Sequence, residues 1–273
     1  MKLTIGTLLA FFLIQICTSS TIPKLGSRIT NAKNAAPGQF PYQVSVELKF
    51  PLLKSKHVCG GSIINENYVL TAGHCAKGFT FLLGKMRVKV GQHDLKQSNE
   101  YSQIVEVAKR IPHESFPGGL TPKQHDIALL KLRKPLVFNE NVQPVQLPEQ
   151  DSDYSGMAFL SGWGSTAFGF RPKLPQILQF ASVPIIEQKE CKNFYNGQRG
   201  SPGIDETMVC SGPINGSISA CVGDSGGPLV QYVEDKPVQI GVVSWGSFPC
   251  GAGAPSVYTR VSSYVDWIRK ISS

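Results

Sequence analysis

Short runs of alternating apolar and polar residues recur along the chain, and they constrain its fold more than any other feature. They are YQVSVEL (42–48), GGSIIN (60–65), MRVKVG (86–91), QIVEVAKRI (103–111), DIALLKL (126–132), PLVQYV (228–233) and VQIGVVSWG (238–246). A period of two places every second side chain on one face, the mark of half-buried strands. Gly, Pro and Asn separate the runs. With 27 Gly and 19 Pro among 273 residues, the chain is rich in turn formers, which favours many short strands over long helices. Helical spacing is clear mainly at the end, where Tyr264, Val265, Trp267, Ile268 and Ile271 fall on one face of SSYVDWIRKI (262–271), with Ser262 or Ser263 as N-cap. The pattern predicts an all-β barrel or sandwich with a terminal helix. KPLVFNENVQPVQLPEQ (134–150) breaks it and is the candidate linker between two halves.

The first 20 residues read as a secretory leader. Lys2 is followed by the apolar run 3–16 and then by Cys17-Thr18-Ser19-Ser20. The run is too short to span a bilayer comfortably, and no later stretch is long and apolar enough to do so. A secreted, extracellular protein with no membrane association is expected. Six of the seven cysteines remain once Cys17 leaves with the leader: Cys59, Cys75, Cys191, Cys210, Cys221 and Cys250. An even number in an oxidising compartment predicts three disulfides, although spacing alone leaves the pairing open. No C-x-x-C occurs, which speaks against a cysteine-built metal site. The formal charge of +8 falls to +5 when Lys2, Lys24 and Arg28 are removed. Scattered solvated lysines account for that balance, and no basic-aromatic module of a nucleic-acid reader is present.

CVGDSGGPLV (221–230) contains G-x-S-x-G, the pattern of a nucleophile elbow in α/β-hydrolases. That order requires a histidine after the serine. His57, His74, His93, His113 and His125 all precede Ser225, so the elbow reading fails. An order of Asp, His, Ser would leave only His113 or His125 as base, with no supporting motif. The order His, Asp, Ser remains. His125 cannot readily meet the adjacent Asp126, because neighbouring side chains on a strand diverge. His74, in VLTAGHCA beside Cys75, sits on what reads as a strand end held by a disulfide.

Together, LTAGHC (70–75), HDIALLKL (125–132), SGWGST (161–166), CVGDSGGPLV (221–230) and VVSWG (242–246) resemble the chymotrypsin/trypsin-type serine endopeptidases, nearest to chymotrypsin-like members with three disulfides. The resemblance runs from residue 28 to about 270. It implies two antiparallel six-stranded β-barrels, about 29–138 and 139–261, followed by a C-terminal α-helix at about 262–273. It implies His74 as general base, Asp126 as its orienting acid and Ser225 as nucleophile. The backbone N–H groups of Gly223 and Ser225 would form the oxyanion hole. The implied disulfides are Cys59–Cys75, Cys191–Cys210 and Cys221–Cys250. Ser244, Trp245 and Gly246 would pair with substrate backbone as an added strand.

The same resemblance implies a zymogen. Residues 21–28 would be an activation propeptide, cut after Arg28 so that the new ammonium of Ile29 pairs with Asp224. Thr30, Asn31 and Ala32 stand where the family has Val-Gly-Gly, a departure that bears on how freely the segment swings. At the specificity pocket, Ser219 occupies the base where trypsin-like members carry Asp, Gly246 leaves the mouth open, and Ser256 replaces a usual Gly. Cleavage after Phe, Tyr, Leu or Met is expected, with an elastase-like preference as the alternative and a catalytically silent binding protein as the competing class. Partners would be protein and peptide substrates, a trypsin-like activating protease and protein protease inhibitors, acting on a monomer. No cofactor or metal is implied. Gln92 replaces a carboxylate in the loop that binds calcium in relatives. Asn215 heads a glycosylation sequon.

Overall fold

The computed structural model describes residues 32–77, 84–119, 124–166, 173–196, 201, 203–213, 218–247, 250 and 253–273. The leader, Arg28, Ile29 and the sequon at Asn215 lie outside them.

After a two-residue strand β1 (Lys33–Asn34), the first half contains β2 (Gln43–Lys49), β3 (Lys56–Ile63), β4 (Tyr68–Thr71), helix α1 (Gly73–Lys77), β5 (Lys85–Val90), β6 (Gln103–Pro112) and β7 (Ala128–Leu132). These six long strands close into an antiparallel barrel in the order β2-β3-β4-β7-β6-β5. The second half contains β8 (Met157–Gly162), β9 (Gln179–Ile186), helix α2 (Gln188–Tyr195), β10 (Met208–Ser211), β11 (Pro228–Val233), β12 (Lys236–Trp245) and β13 (Ser256–Arg260). Its order is β9-β10-β13-β12-β11-β8, and pairing of β8 with β9 closes a second six-stranded barrel, with β1 added on β9. Closure removes exposed sheet edges from both halves.

Each barrel interior is filled by the inward residues of its strands. Val44, Val46, Leu70, Val88, Leu129 and Leu130 fill the first, and Leu160, Val183, Leu229, Ile240 and Tyr258 the second. Between them, Tyr42, Val145, Trp163 and Val230 form an apolar seam, joined by a buried hydrogen bond from Ser161 Oγ to Gln43 Oε1 at 2.6 Å. The chain then returns to the first barrel. A 3₁₀ turn (Val261–Tyr264) leads into α3 (Val265–Ser272), and Val261, Tyr264 and Ile268 pack on the first core. The three disulfides join the pairs that the resemblance implied.

Three local expectations change. His74 lies in the short helix α1, three residues beyond the end of β4 at Thr71, and not at the strand end that the sequence suggested. The terminal helix is capped by neither Ser262 nor Ser263; its N-cap is Tyr264, without a side-chain bond. Ser262 is used elsewhere: its hydroxyl accepts from Arg260 Nε at 2.9 Å and its carbonyl from the Asp151 N–H at 2.9 Å. The stretch 134–150 is no free linker. Leu136, Val142 and Val145 are buried, the Val145 N–H bonds Ile63 O in the first barrel, and the Gln146 N–H bonds Pro237 O in the second, both at 2.9 Å.

Leu130 is fully buried in the first core. Leu130→Ala should lower unfolding free energy by about 2–5 kcal/mol, read from urea denaturation; a loss well under 1 kcal/mol would mean that this core is not close-packed.

Candidate active site

The site is built where the two barrels meet, and its centre is a buried carboxylate. Asp126 is 4% exposed and sits just before β7. It is fully supplied with donors: Oδ1 accepts the His74 backbone N–H at 2.8 Å, and Oδ2 accepts His74 Nδ1–H at 2.7 Å and the Ser244 hydroxyl at 2.6 Å. Its own carbonyl accepts from Thr259 Oγ1 at 2.8 Å. Such saturation is what a buried charge requires. Because a carboxylate only accepts, His74 Nδ1 carries the proton and Nε2 is left as a basic lone pair. The His74 side chain is 17% exposed, so the imidazole reaches the surface while its partner does not. A side chain at Gly73 would put its Cβ 3.2 Å from Asp126 Oδ1 and 2.9 Å from the Phe116 ring.

His125 sits apart from this arrangement, but not through the strand geometry expected of it: it lies in a turn before β7 with φ +55. Its Nδ1 bonds Tyr264 Oη at 2.9 Å and its ring stacks on His113.

Ser225 is held against the first barrel through its backbone carbonyl. Its carbonyl accepts the Gly60 N–H at 2.8 Å. On either side, the approach is too close for side chains: a Cβ on Gly226 would lie 2.2 Å from Thr71 Oγ1, and one on Gly60 2.7 Å from Gly227 Cα. Gly226 also has φ +79. Thr71 ends β4 and precedes the helix that bears His74, and Cys59–Cys75 ties β3 to that helix. The segments carrying His74 and Ser225 therefore share one tightly packed wall.

Gly223 has φ +103, a region nearly closed to other residues. Its carbonyl accepts His57 Nε2–H at 3.0 Å, and His57 Nδ1 then accepts the Ser45 hydroxyl at 2.8 Å. Burial lowers the His57 pKa, which favours the neutral ring, and the Gly223 carbonyl sets its tautomer. Sequence reasoning listed His57 only as a candidate base. Its bond to Gly223, 166 residues away, has no local signal. The Ser244 bond to Asp126 was missed for the same reason, since VVSWG suggested only strand pairing.

Asp224 is completely buried. Oδ1 accepts the Gly164 N–H at 2.7 Å and Oδ2 the Cys221 N–H at 3.0 Å. Glycines at 162 and 164 make room for it, since a Cβ at either would sit about 2 Å from its oxygens. Burial pushes its pKa up to about 6, against the pull of the two N–H bonds. Among the described residues no cation lies within ion-pair distance of it.

The residues expected at the specificity pocket come together. Ser219 and Ser256 are buried, and Ser256 Oγ accepts the Ala220 N–H at 2.8 Å. A Cβ on Gly246 would meet Ser256 Cα only at 3.9 Å, an ordinary contact. Trp245 packs edge-on against Tyr195, whose hydroxyl bonds Pro255 O. Cys221–Cys250 closes this wall beside Ser225. Cys59, His74 and Cys75 also cluster, but the two sulfurs are bonded to each other and offer no thiolate ligand.

The family described as Trypsin matches residues 29–268. Trypsin-1 of Astacus astacus is 39% identical over 242 residues, covering 88% of this chain and 98% of that protein. Serine proteinase stubble of Drosophila melanogaster is 37% identical over 257 residues, covering 92% of this chain but only 32% of that longer protein. With the twin barrels, the three disulfides and a match across nearly all of the described chain, this protein belongs to the trypsin family of serine proteases.

Proposed function

We propose that the chain is a secreted endopeptidase, made as a zymogen, that cleaves peptide bonds with His74, Asp126 and Ser225. One observation carries this reading: a surface imidazole whose Nδ1 is tied at 2.7 Å to a buried, fully hydrogen-bonded carboxylate. That arrangement leaves Nε2 as the base. His74 takes the Ser225 hydroxyl proton as Oγ attacks the scissile carbonyl carbon. The oxyanion accepts the N–H groups of Gly223 and Ser225. Protonated His74 then gives its proton to the departing amine, leaving an acyl-enzyme. Water attacks the ester with His74 again as base, releasing the acid and restoring Ser225. Asp126 stabilises the imidazolium in each step and holds its tautomer.

Zymogen activation is supported by Asp224. A carboxylate buried among glycines, with two N–H bonds and a raised pKa, is a receptor for a cation. The ammonium of Ile29, freed by a trypsin-like protease acting after Arg28, would supply it and order the adjoining Gly223. The apolar leader and the three disulfides support export to an extracellular setting.

For the residue before the cut bond, an uncharged Ser219 at the pocket base favours large apolar side chains: Phe, Tyr, Leu or Met. A buried Ser256 narrows the pocket and keeps small-residue preference as a second reading. The name Trypsin-1 on the Astacus relative would suggest Arg or Lys, but Ser219 offers no charge to bind them.

Short chromogenic substrates ending in Phe and in Arg, assayed before and after trypsin treatment, test all of this. Activity on Phe that arises only after cleavage at Arg28 is expected; dominant activity on Arg would overturn the pocket reading. Ser244→Ala, which removes one donor from Asp126, should lower kcat about tenfold with KM little changed, in steady-state kinetics on the cleaved enzyme.

Asp224 also predicts a pH dependence for the uncleaved chain. Its folded pKa, about 6, lies above its ordinary 3.8, so the folded state binds the extra proton. The resulting stability is fully present below about pH 3.8 and lost as pH rises through about 6. Thermal unfolding of uncleaved Asp224→Asn should lack this component. Identical pH profiles for the two proteins would contradict it.

A further inference from the structure

On the outer face of the first barrel, well away from Asp126, lysines form a row that the fold goes out of its way to build. In the β2–β5 pairing, Lys49 stands directly opposite Lys85. In the β6–β7 pairing, Lys109 stands directly opposite Lys131. All four are exposed. Like charges placed opposite one another on neighbouring strands destabilise a sheet, and here the same mismatch occurs twice on four consecutive strands.

The second pair depends on a β-bulge. The register slips between Val107 and Lys109. Exposure alternates along β6 up to Val107, then Ala108 and Lys109 are exposed in succession. Without the extra residue, Lys109 would point into the barrel. A bulge re-aims a side chain, and this one turns a lysine outward beside another lysine.

The nearby acids are already engaged. Glu47 pairs with Arg87 at 2.7 Å and Glu106 with Arg133 at 3.3 Å. Among the described residues, no carboxylate lies within ion-pair distance of the four lysine amines. Between Lys85 and Lys109 runs a groove of about 250 Å³ whose lining includes Gly84, Met86 and Ala108. Glu106, Arg110 and Arg133 also line it, so the lining is mixed in character and carries more basic than acidic groups. At about 4.8 Å per strand, the four-strand row is about 14 Å long, the reach of four or five extended residues. Lys131 stands five residues along from Asp126, about 17 Å at strand rise. One protein chain could lie in both places.

We infer that this lysine row and groove form a docking surface for an acidic peptide segment of a protein partner, separate from the peptide-bond-cleaving site. Charge complementarity selects the acidic character. The row's length, the reach of four or five extended residues, suits a short peptide segment, and a sulfated glycan is the competing occupant that the test separates. The surface does not require the proteolytic reading to hold.

The test uses full-length protein carrying Ser225→Ala and a fluorescein-labelled, glutamate-rich decapeptide, followed by anisotropy. Saturable binding is expected, weakening about tenfold as salt rises from low to near physiological strength. Lys109→Glu should weaken binding about tenfold while thermal stability holds or rises, because it turns a repulsive cross-strand pair into an attractive one. Lys236→Glu, exposed on the second barrel, should leave binding unchanged. The inference is overturned by absence of saturable binding at low salt, by equal weakening from Lys236→Glu, or by binding of heparin and not the peptide. Separately, Lys109→Glu in the active enzyme should leave hydrolysis of short neutral substrates unchanged. If no such substrate is ever cleaved while the decapeptide still binds, the proteolytic reading fails and the docking surface stands.

Discussion

Burial of the Asp126 carboxylate is the constraint around which this molecule is organised. A charge at 4% exposure would be prohibitive without several donors, and no one segment of the chain can supply them. The donors come from the start of α1, from β12 and from the His74 ring, while β13 anchors the backbone. Two of these belong to the first barrel and two to the second. Separating the barrels would strip the carboxylate of its Ser244 donor and its backbone carbonyl of the Thr259 bond, so the geometry of the His74 pair is coupled to the docking of the two halves.

The second barrel contributes Ser225 under a similar constraint, expressed through absent side chains. Backbone meets backbone at Gly60, Gly226 and Gly227, and at Gly162 and Gly164 glycine makes room for a second buried carboxylate, Asp224. These contacts are short because nothing stands between the chains. Precision at the seam therefore comes from steric exclusion, which tolerates little error, rather than from long polar side chains, which would. His57 adds a side-chain strut, a neutral ring joining Ser45 on β2 to the Gly223 carbonyl.

Much of this was legible in the chain, and the omissions have a physical pattern. Strands with one solvated face, such as β6, alternate visibly and were found. β4 is buried along its whole length, so YVLT carries no alternation to read. β10 and β13, also largely buried, escaped for the same reason. β9 carries Pro184, and its breaks in apolar pattern hid it. Helix α1 has five residues and no periodicity to detect. At the site, chain order left only the arrangement His, Asp, Ser, and the resemblance of the motifs to a known family put His74, Asp126 and Ser225 in those roles. The Ser244 and His57 bonds join residues more than a hundred positions apart and exist only once both barrels have closed.

The distribution of the disulfides has a consequence for how the protein ends its life. Cys59–Cys75 lies within the first barrel, and Cys191–Cys210 and Cys221–Cys250 lie within the second. The barrels are thus joined covalently only through the polypeptide between β7 and β8. A single nick there would leave two internally cross-linked pieces held by non-covalent contacts, with His74 on one and Ser225 on the other. Persistence of the assembled site would then become a dissociation equilibrium, dependent on concentration, between halves that each keep their own cross-links.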